Sequence, residues 1–221
     1  KNKLKYKKKI ITVAIDSPAA AGAGTQARLI AKEYNLFQLD TGRIYRLVGK
    51  MRLDNPKSFN YKNIKKKIKK LKIKDLQNKK LLNDNVATSA SIIAKNYKIR
   101  KIVHQFQNKF AYNPPKKYAG SVLDGRDITS VILKDAMFKF FITADLKTRA
   151  ERRFKEYLNQ KKNITFKDVL KSLKNRDKSD RTRKYGPLKK TKDSILINST
   201  KLSKRQCFLK IKAIMDRKLN K

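Results

Sequence analysis

The chain has 221 residues, of which 59 are lysine or arginine and 17 are aspartate or glutamate, and its formal net charge is +42. This length is sufficient for one domain with a substantial core, and so large a positive charge attracts polyanions of every kind, from nucleic acids to nucleoside phosphates. The single cysteine excludes an intramolecular disulfide, and we expect neither a Ser-His-Asp triad nor a metal-ligand cluster from one histidine and one cysteine.

Two further features bear on location and partners. No apolar run of about 18 residues occurs, and the first residues, KNKLKYKKKI, lack the apolar segment of a signal peptide, so we expect a soluble, cytoplasmic protein. Lysine, asparagine and isoleucine are abundant together, as expected where an A and T rich genome fills permissive surface positions. The charge alone therefore does not indicate a nucleic-acid-binding protein, and we assign no chemistry to Cys207.

The chain opens with a strand, a small-residue loop and a helix. Residues 10–15, IITVAI, are apolar and rich in β-branched residues, which is typical of a buried strand. Residues 25–34 then place apolar side chains at helical spacing. Strand, loop and helix form the opening half of a βαβ unit.

The loop between them departs from the phosphate-binding consensus of Gly, four residues, Gly, Lys and Ser or Thr. It reads SPAAAGAGT, with Ser17 at the first glycine position, Ala23 at the lysine position and the hydroxyl one place late, at Thr25. On this local evidence two interpretations stay open, a phosphate-binding loop or a tight turn of small residues.

A second strand, residues 36–40, leads into a helix that carries Ile44, Leu47, Val48 and Met51. Residues 54–86 differ in character, because they are lysine-rich with apolar residues only at roughly helical steps. We expect a solvated amphipathic excursion from the core, although a basic helix of this kind also suits RNA or a membrane surface.

The remaining elements follow in regular order. A helix is predicted over residues 91–112 and ends before Pro114. His104, on this helix, is expected to be a structural residue remote from every motif. A strand that runs into a charged turn is predicted at residues 120–127, and further strands are predicted at residues 138–144 and 194–198. Helices are predicted at residues 146–158, after an N-cap at Thr165, and at the C-terminus.

Five short apolar strands separated by helices favour a parallel sheet that is covered on both faces. Ligands of such folds bind at the carboxyl ends of the strands. This rule places residues 17–25, 40–46 and 124–127 on one rim of the sheet.

The motifs on that rim resemble those of the bacterial cytidylate kinases. LDTGRIYR at residues 39–46, DGRD at residues 124–127 and RDKSDRTRKYGPL at residues 176–188 occur in that family's order and spacing. The resemblance covers nearly the whole chain. It implies an α/β, three-layer P-loop NTPase fold with a five-stranded parallel sheet, a helical lid and a short acceptor-binding insertion. Within one domain of residues 1–221, we expect the core at 8–53, 87–145 and 190–221, the insertion at about 54–86 and the lid at about 146–189.

The resemblance also implies the activity and its residues: transfer of a phosphoryl group from ATP to CMP or dCMP, with Mg²⁺ held mainly by the ATP phosphates and water. Arginines suit this chemistry because a guanidinium binds phosphate through two parallel bonds and stays charged. As catalytic arginines it implies Arg46, Arg126 and Arg181. On the donor side it implies Ser17, Pro18, Ala19, Ala20, Ala21, Gly22, Ala23, Gly24, Thr25, Arg149, Arg152 and Arg153. On the acceptor side it implies Thr41, Tyr45, Arg46, Ser91, Arg100, Arg126, Asp127, Arg176, Asp180 and Arg183.

Within the acceptor site, the resemblance assigns Thr41, Arg100, Asp127 and Arg183 to the base, Ser91, Arg176 and Asp180 to the ribose, and Tyr45, Arg46 and Arg126 to the phosphate. Asp127 suits cytosine because a carboxylate accepts from its exocyclic amine, whereas uracil has a carbonyl there. Asp124 has two open interpretations, a partner of a Mg²⁺-bound water or a cap on the strand end. No metal site made by the protein itself is predicted.

The departures at Ser17 and Ala23 leave three outcomes: another cation substitutes for the lysine, the enzyme is slow, or the chain is a non-catalytic relative. We favour substitution, because the acceptor and lid residues are all present. Two rivals to a CMP kinase are a kinase of another nucleoside monophosphate, such as adenylate, and a basic nucleic-acid-binding relative. The expected partners are nucleotides, without a membrane or a specific nucleic acid, and a monomer is expected.

Overall fold

One parallel sheet lies at the centre of the molecule, in a computed structural model that describes residues 10–220. The strands are β1 (Ile11–Asp16), β2 (Leu36–Asp40), β3 (Gly120–Gly125), β4 (Phe138–Thr143) and β5 (Ile195–Asn198). Their order in the sheet is β2-β3-β1-β4-β5, and every neighbouring pair is parallel. The three-layer prediction with five parallel strands is thus confirmed.

Helices connect the strands and cover both faces of the sheet. The α-helices are α1 (Ala23–Glu33), α2 (Thr41–Asp54), α3 (Tyr61–Lys69), α4 (Ile73–Leu76), α5 (Asp84–Ile93), α6 (Tyr97–Tyr112), α7 (Leu146–Asn159), α8 (Phe166–Thr182) and α9 (Lys204–Leu219). A 3₁₀ turn follows α2, a second follows α4, and a single π-helical turn (Ile128–Ile132) follows β3.

The alternation of side chains along β1 divides the core into two layers. Val13 and Ile15 face α1 and α9, where Ile30 and Ile211 are fully buried, whereas Ala14 faces the opposite layer of α2, α5 and α6. This alternation follows from the two-residue period of a strand. Since both faces are covered, ligands reach the sheet at the carboxyl ends of its strands.

The helix predicted over residues 91–112 is wrong in one respect, because the structure has two helices there. α5 ends at Ile93, and Asn96 begins α6 by accepting a hydrogen bond from the Ile99 N–H at 3.1 Å. The apolar periodicity runs through this break and hides it from the sequence. The first helix also begins two residues earlier than predicted, at Ala23.

The lysine-rich segment of residues 54–86 packs more closely than a solvated excursion. Ile64 and Ile68 of α3 are buried against α6, and Leu76 and Leu81 join the same core cluster. The lysines of α3 lie on its exposed face. The expectation of an amphipathic segment is confirmed, and its apolar side belongs to the main core.

Truncation of Ile64 tests this packing. Because Ile64 is 0 % exposed, Ile64→Ala is expected to lower the free energy of unfolding by about 2 to 4 kcal/mol through lost burial and a cavity. Urea unfolding followed by circular dichroism measures this change. Tyr61→Ala, at a side chain 44 % exposed on the same helix, is the control and is expected to change the free energy by less than about 1 kcal/mol. Equal midpoints for the two variants would contradict the packing.

Helices α7 and α8 form a hairpin with a small core of its own. Ala150, Val169 and Leu173 are buried in it, together with Ala19 of the loop after β1. The predicted N-cap is confirmed, since the Thr165 hydroxyl accepts from the Asp168 N–H at 3.1 Å. The hairpin is thereby packed directly against the loop.

Candidate active site

The loop of residues 17–25 has backbone geometry that its sequence does not favour. Gly22 has φ +95°, which suits glycine, but Ala20 also lies in the left-handed region, at φ +60°. For an alanine this costs roughly 1 to 2 kcal/mol. Such strain persists only where the surroundings impose it, and it is typical of binding sites.

Contacts from outside the loop impose this conformation. The Ala19 carbonyl accepts from Arg149 Nη1 at 3.1 Å, and the Ala21 carbonyl accepts from the Ser199 hydroxyl at 3.1 Å. By contrast, no hydrogen-bond partner occurs within residues 10–220 for the N–H groups of residues 19–25. A run of free N–H groups that leads into a helix N-terminus is the arrangement that binds phosphate.

The lysine position of the loop carries no charge and takes no part in this surface. The Ala23 side chain is 5 % exposed and packs in the core layer with Ala27 and Ile30. The cation that a phosphate-binding loop normally supplies must therefore come from elsewhere, if the loop binds a nucleoside triphosphate.

Three predicted arginines converge on one aspartate, and a fourth lies near them. Asp180 accepts from Arg126 Nε at 2.8 Å, and its other oxygen lies 3.3 Å from Arg183 Nη1. Arg176 Nε lies 4.0 Å from Asp180. Arg46 stands beside this group and donates to the Leu81 carbonyl at 2.9 Å. We call Arg46, Arg126, Arg176 and Arg183 the arginine cluster.

The positive charges of the arginine cluster repel one another. Burial, and then the charges of Arg126, Arg46 and Arg153, lower the pKa of Arg176 to about 10, while Asp180 opposes this shift. Burial and Arg153 also lower the pKa of Arg46, against Asp40. The Arg176 Nε is buried without a hydrogen-bond partner in the described part of the chain. A phosphate group would relieve this repulsion, because it brings negative charge and several acceptor oxygens.

A buried ion pair lies next to the arginine cluster. Arg100 and Asp127 are in direct contact, with side chains 3 % and 5 % exposed. Arg100 also donates to the Ala94 carbonyl at 3.0 Å, and the Tyr45 ring lies against its guanidinium. Although burial raises the pKa of Asp127, His104 and Arg100 lower it by more, so the carboxylate stays ionised. This side chain is therefore a fixed hydrogen-bond acceptor.

The expectation that His104 is remote from every motif is wrong. Its Nε2 lies 3.3 Å from the Asp127 carboxylate. His104 follows Arg100 by one helical turn of α6, so the two side chains lie on the same face of the helix and reach the same carboxylate.

The segment that follows α8 lies against the same ion pair. Gly186 has φ +56°, and a Cβ there would overlap the side chains of Arg100 and Asp127. Its carbonyl accepts from Arg183 Nε at 2.7 Å, which holds Arg183 above the pair. The glycine thus allows the chain to approach the ion pair closely.

The three arginines predicted on α7 have different partners. Arg149 is buried, with Nη1 and Nη2 donating to the two Asp177 oxygens at 3.0 and 2.6 Å. Arg152 donates to Ser199, and Arg153 pairs with Glu156 at 3.0 Å. Arg149 therefore connects α7 to α8 and to the loop, and Arg152 connects α7 to the residue that follows β5.

Three predicted residues lie apart from these contacts. Thr41 donates to the Asp124 carbonyl at 2.8 Å, which ties α2 to β3. Ser91 is half-buried on α5. Arg181 is exposed near the end of α8, and neither a hydrogen bond nor an ion pair is found for it within residues 10–220. The structure does not bring Arg181 into the arginine cluster.

Two carboxylates lie at the mouth of the loop. Asp124 of β3 is in register with Asp40 of β2. Burial first, and then Asp40, raise the pKa of Asp124 to about 8, although Arg126 and Arg28 oppose this shift. Its Oδ1 is buried without a hydrogen-bond partner in the described part of the chain.

Sequence reasoning missed three residues of this region: Arg28, His104 and Asp177. Helical spacing is the signal for the first two, because Arg28 lies three residues after Thr25 and His104 four after Arg100. Asp177 faces Arg149 across the hairpin, at a distance of 28 residues along the chain. Only the packing of α7 on α8 brings that pair together.

A family model and two curated relatives that match this chain are all described as cytidylate kinases. The family model described as cytidylate kinase matches residues 13–217. A cytidylate kinase of Clostridium botulinum (strain Loch Maree / Type A3) is 38% identical over 224 residues, which covers 94% of this chain and 98% of the relative. A cytidylate kinase of Bartonella tribocorum is 40% identical over 196 residues, covering 88% and 89%.

A solved structure supports the fold. The crystal structure of an uncharacterized protein from Eubacterium ventriosum matches with a TM-score of 0.55 at 18% identity, covering 93% of this chain and 98% of the other. Within residues 10–220, no helix combines the length and apolar character that a membrane crossing requires. Family model, curated relatives and the arrangement of the rim residues agree, and this chain belongs to the cytidylate kinase family.

Proposed function

We propose that the protein transfers the γ-phosphoryl group of ATP directly to CMP or dCMP. The observation that carries this proposal is the arginine cluster, which has Asp180 as its one direct ion-pair partner among the described residues. Arg126 and the Ser17 N–H both donate to the Gly125 carbonyl, and Arg183 lies near the Arg100–Asp127 pair, so the cluster lies beside both the loop and that pair. Two nucleotides repel each other when their phosphates meet. An excess of guanidinium groups at the meeting point offsets this repulsion and stabilises the transferring group.

The donor side rests on the loop. Its free N–H groups, at residues 19–25, bind the β and γ phosphates of ATP, and the α1 N-terminus adds its positive end. Arg149 and Arg152 act as positioning residues here, since one holds the Ala19 carbonyl and the other holds Ser199, which donates to the Ala21 carbonyl. Arg153, held on the same helix, closes over the donor from the lid.

The acceptor side rests on the buried ion pair and the arginine cluster. Asp127 accepts from the exocyclic amine of cytosine, and Arg100, Arg183 and Thr41 complete the base site. Ser91, Arg176 and Asp180 face the ribose. Arg46, Arg126 and Tyr45 bind the acceptor phosphate, and the Tyr45 hydroxyl is buried without a partner in residues 10–220.

Mg²⁺ fits the mouth of the loop. It usually takes one or two carboxylates and otherwise binds phosphates and water, and Asp124 and Asp40, in register at the ends of β3 and β2, are the carboxylates that would contact the ion or its bound water. When bound, the ion neutralises charge on the donor phosphates. Within residues 10–220 no group of three or more His, Cys, Asp or Glu side chains forms a metal site, so ATP would supply most of the ligands.

We also propose how the chain is divided into a core, an insertion and a lid. Residues 1–221 act as one kinase domain, with the acceptor insertion at about 54–86 and the lid at about 146–189. The α7–α8 hairpin packs on the loop through Ala19, so closing of the lid is coupled to donor binding. We propose that the protein works as a monomer in the cytoplasm, with nucleotides as its partners.

A panel of acceptors tests the proposal. Purified protein with ATP and Mg²⁺ is expected to phosphorylate CMP and dCMP at least a hundredfold faster, in kcat/KM, than UMP or AMP, because a site built to pair with a polar group rejects analogues that leave it unpaired. Coupled detection of ADP measures the rates. Preference for AMP would indicate another nucleoside monophosphate kinase. Failure to bind CMP, with tight and steeply salt-dependent RNA binding, would indicate the nucleic-acid-binding rival.

A further inference from the structure

The loop has no lysine, yet phosphoryl transfer requires a cation at the donor phosphates. We propose that Arg28 supplies this charge from the second turn of α1 and contacts the phosphates of ATP. The proposal rests on the proposed function, whose loop and donor it deepens.

The position of Arg28 carries the proposal. Its side chain is exposed on α1, and helical side chains point back toward the N-terminus, which here is the loop. Arg28 Nη2 lies 3.2 Å from the Thr25 hydroxyl. Arg28 Nη1 lies 3.9 Å from the point that a Cβ on Gly24 would occupy. The guanidinium therefore lies over the first turn of the helix, beside the free N–H groups of the loop.

The surroundings of Arg28 mark this place as part of the reaction site. Asp124 Oδ2 lies 3.6 Å from the same Cβ point of Gly24, so Arg28 and Asp124 flank one position at the mouth of the loop. Arg28 nevertheless forms no ion pair with a carboxylate, as judged over residues 10–220. Its charge remains available to a ligand in this position.

The other arginines whose contacts reach the loop are already engaged. Arg149 donates hydrogen bonds to Asp177 and to the carbonyls of Ala19 and Ala144. Arg152 donates to the Ser199 hydroxyl and carbonyl. Within residues 10–220, Arg28 is the arginine at the loop whose single hydrogen bond is to a hydroxyl. That bond is exchanged for a phosphate oxygen at little cost, because a charge-assisted bond is the stronger one.

The chemistry of a guanidinium suits the role. It presents parallel N–H groups to a phosphate, and it stays protonated at any working pH. Lysine would keep the charge of Arg28 but lose the paired bonds. The side chain also lies at the surface, so its replacement leaves the core unchanged.

Kinetics of Arg28 variants test the proposal. Arg28→Ala is expected to lower kcat for CMP phosphorylation by about a hundredfold, the usual loss for one donor to the transition state, with the KM for CMP unchanged. Arg28→Lys should retain at least a tenth of the activity. Arg217→Ala, at an exposed arginine near the end of α9, is the matched control and should behave as the wild type.

A binding measurement separates this proposal from the proposed function. Titration calorimetry with ATP and with AMP shows whether Arg28→Ala weakens ATP binding at least tenfold more than AMP binding. That result supports a phosphate contact even if the wild-type protein phosphorylates no acceptor, in which case only the proposed function fails. If Arg28→Ala keeps both its kcat and its ATP affinity within twofold of Arg217→Ala, the assignment of Arg28 is wrong.

Discussion

Arg126→Ala is expected to lower kcat/KM for CMP by on the order of a thousandfold, as one lost donor to a developing charge does in other enzymes. Arg126 is held by Asp180 at 2.8 Å, in the middle of the arginine cluster. Its guanidinium is thus fixed before substrate arrives, and little reorganisation opposes its contact with the acceptor phosphate. Steady-state rates over a range of CMP concentrations give the loss in kcat and in KM separately.

Two variants make this result interpretable. Arg126→Lys keeps the charge but not the paired bonds, and it is expected to recover only part of the activity. Arg217→Ala controls for the loss of one positive charge from a chain of formal charge +42. If Arg126→Ala and Arg217→Ala had the same kcat/KM, the arginine cluster would not be the site of transfer.

Asp127→Asn is expected to reduce the preference for CMP over UMP by roughly a hundredfold, the upper part of the 1 to 3 kcal/mol range for one base contact. The carboxylate accepts from the amine of cytosine, whereas an amide also donates, and so it pairs with the carbonyl of uracil. The change should appear in KM more than in kcat, because the base lies away from the transferring group. Competition between CMP and UMP in one reaction measures the ratio directly.

The interpretation of Asp127→Asn depends on the folded state, since Arg100 would lose its buried counter-charge. Thermal unfolding in the presence and absence of CMP shows whether the variant is folded. Asp135→Asn, at an exposed carboxylate that accepts from Tyr112, serves as the control. An unchanged ratio of CMP to UMP in a folded Asp127→Asn protein would show that another residue selects the base.

Strong local patterns made most of the fold predictable. Apolar runs such as IITVAI occur at the observed strands, and the Thr165 cap marks the start of α8. The break at Asn96 was not predicted, because the prediction followed the apolar periodicity, which continues through residues 91–112. The break is made by the Asn96 side chain, which accepts a hydrogen bond from the Ile99 N–H and so starts a new helix. The burial of Ile64 depends on α6, which follows it by some thirty residues.

The residues of the site also fall into a predictable and an unpredictable group. The DGRD and LDTGRIYR motifs identified the rim residues, because they are continuous in sequence. The partners of those residues are discontinuous in sequence: Arg149 meets Asp177 only through the hairpin, and Gly186 meets Arg100 only because the segment after α8 packs against α6. His104 belongs to no sequence motif. Its position four residues after Arg100 is the one signal in the sequence, and the 3.3 Å distance from its Nε2 to Asp127 shows which carboxylate it reaches.

The segment after α3 holds two arginines of α2 through main-chain oxygens, with Arg43 on the Leu76 carbonyl at 2.9 Å and Arg46 on the Leu81 carbonyl at 2.9 Å. Every amino acid offers the same carbonyl. Substitution of the exposed residues 77–80, between these two carbonyls, therefore leaves both hydrogen bonds to the guanidinium groups in place. The side chains of this surface segment can therefore accumulate lysines without changing the position of Arg43 or Arg46.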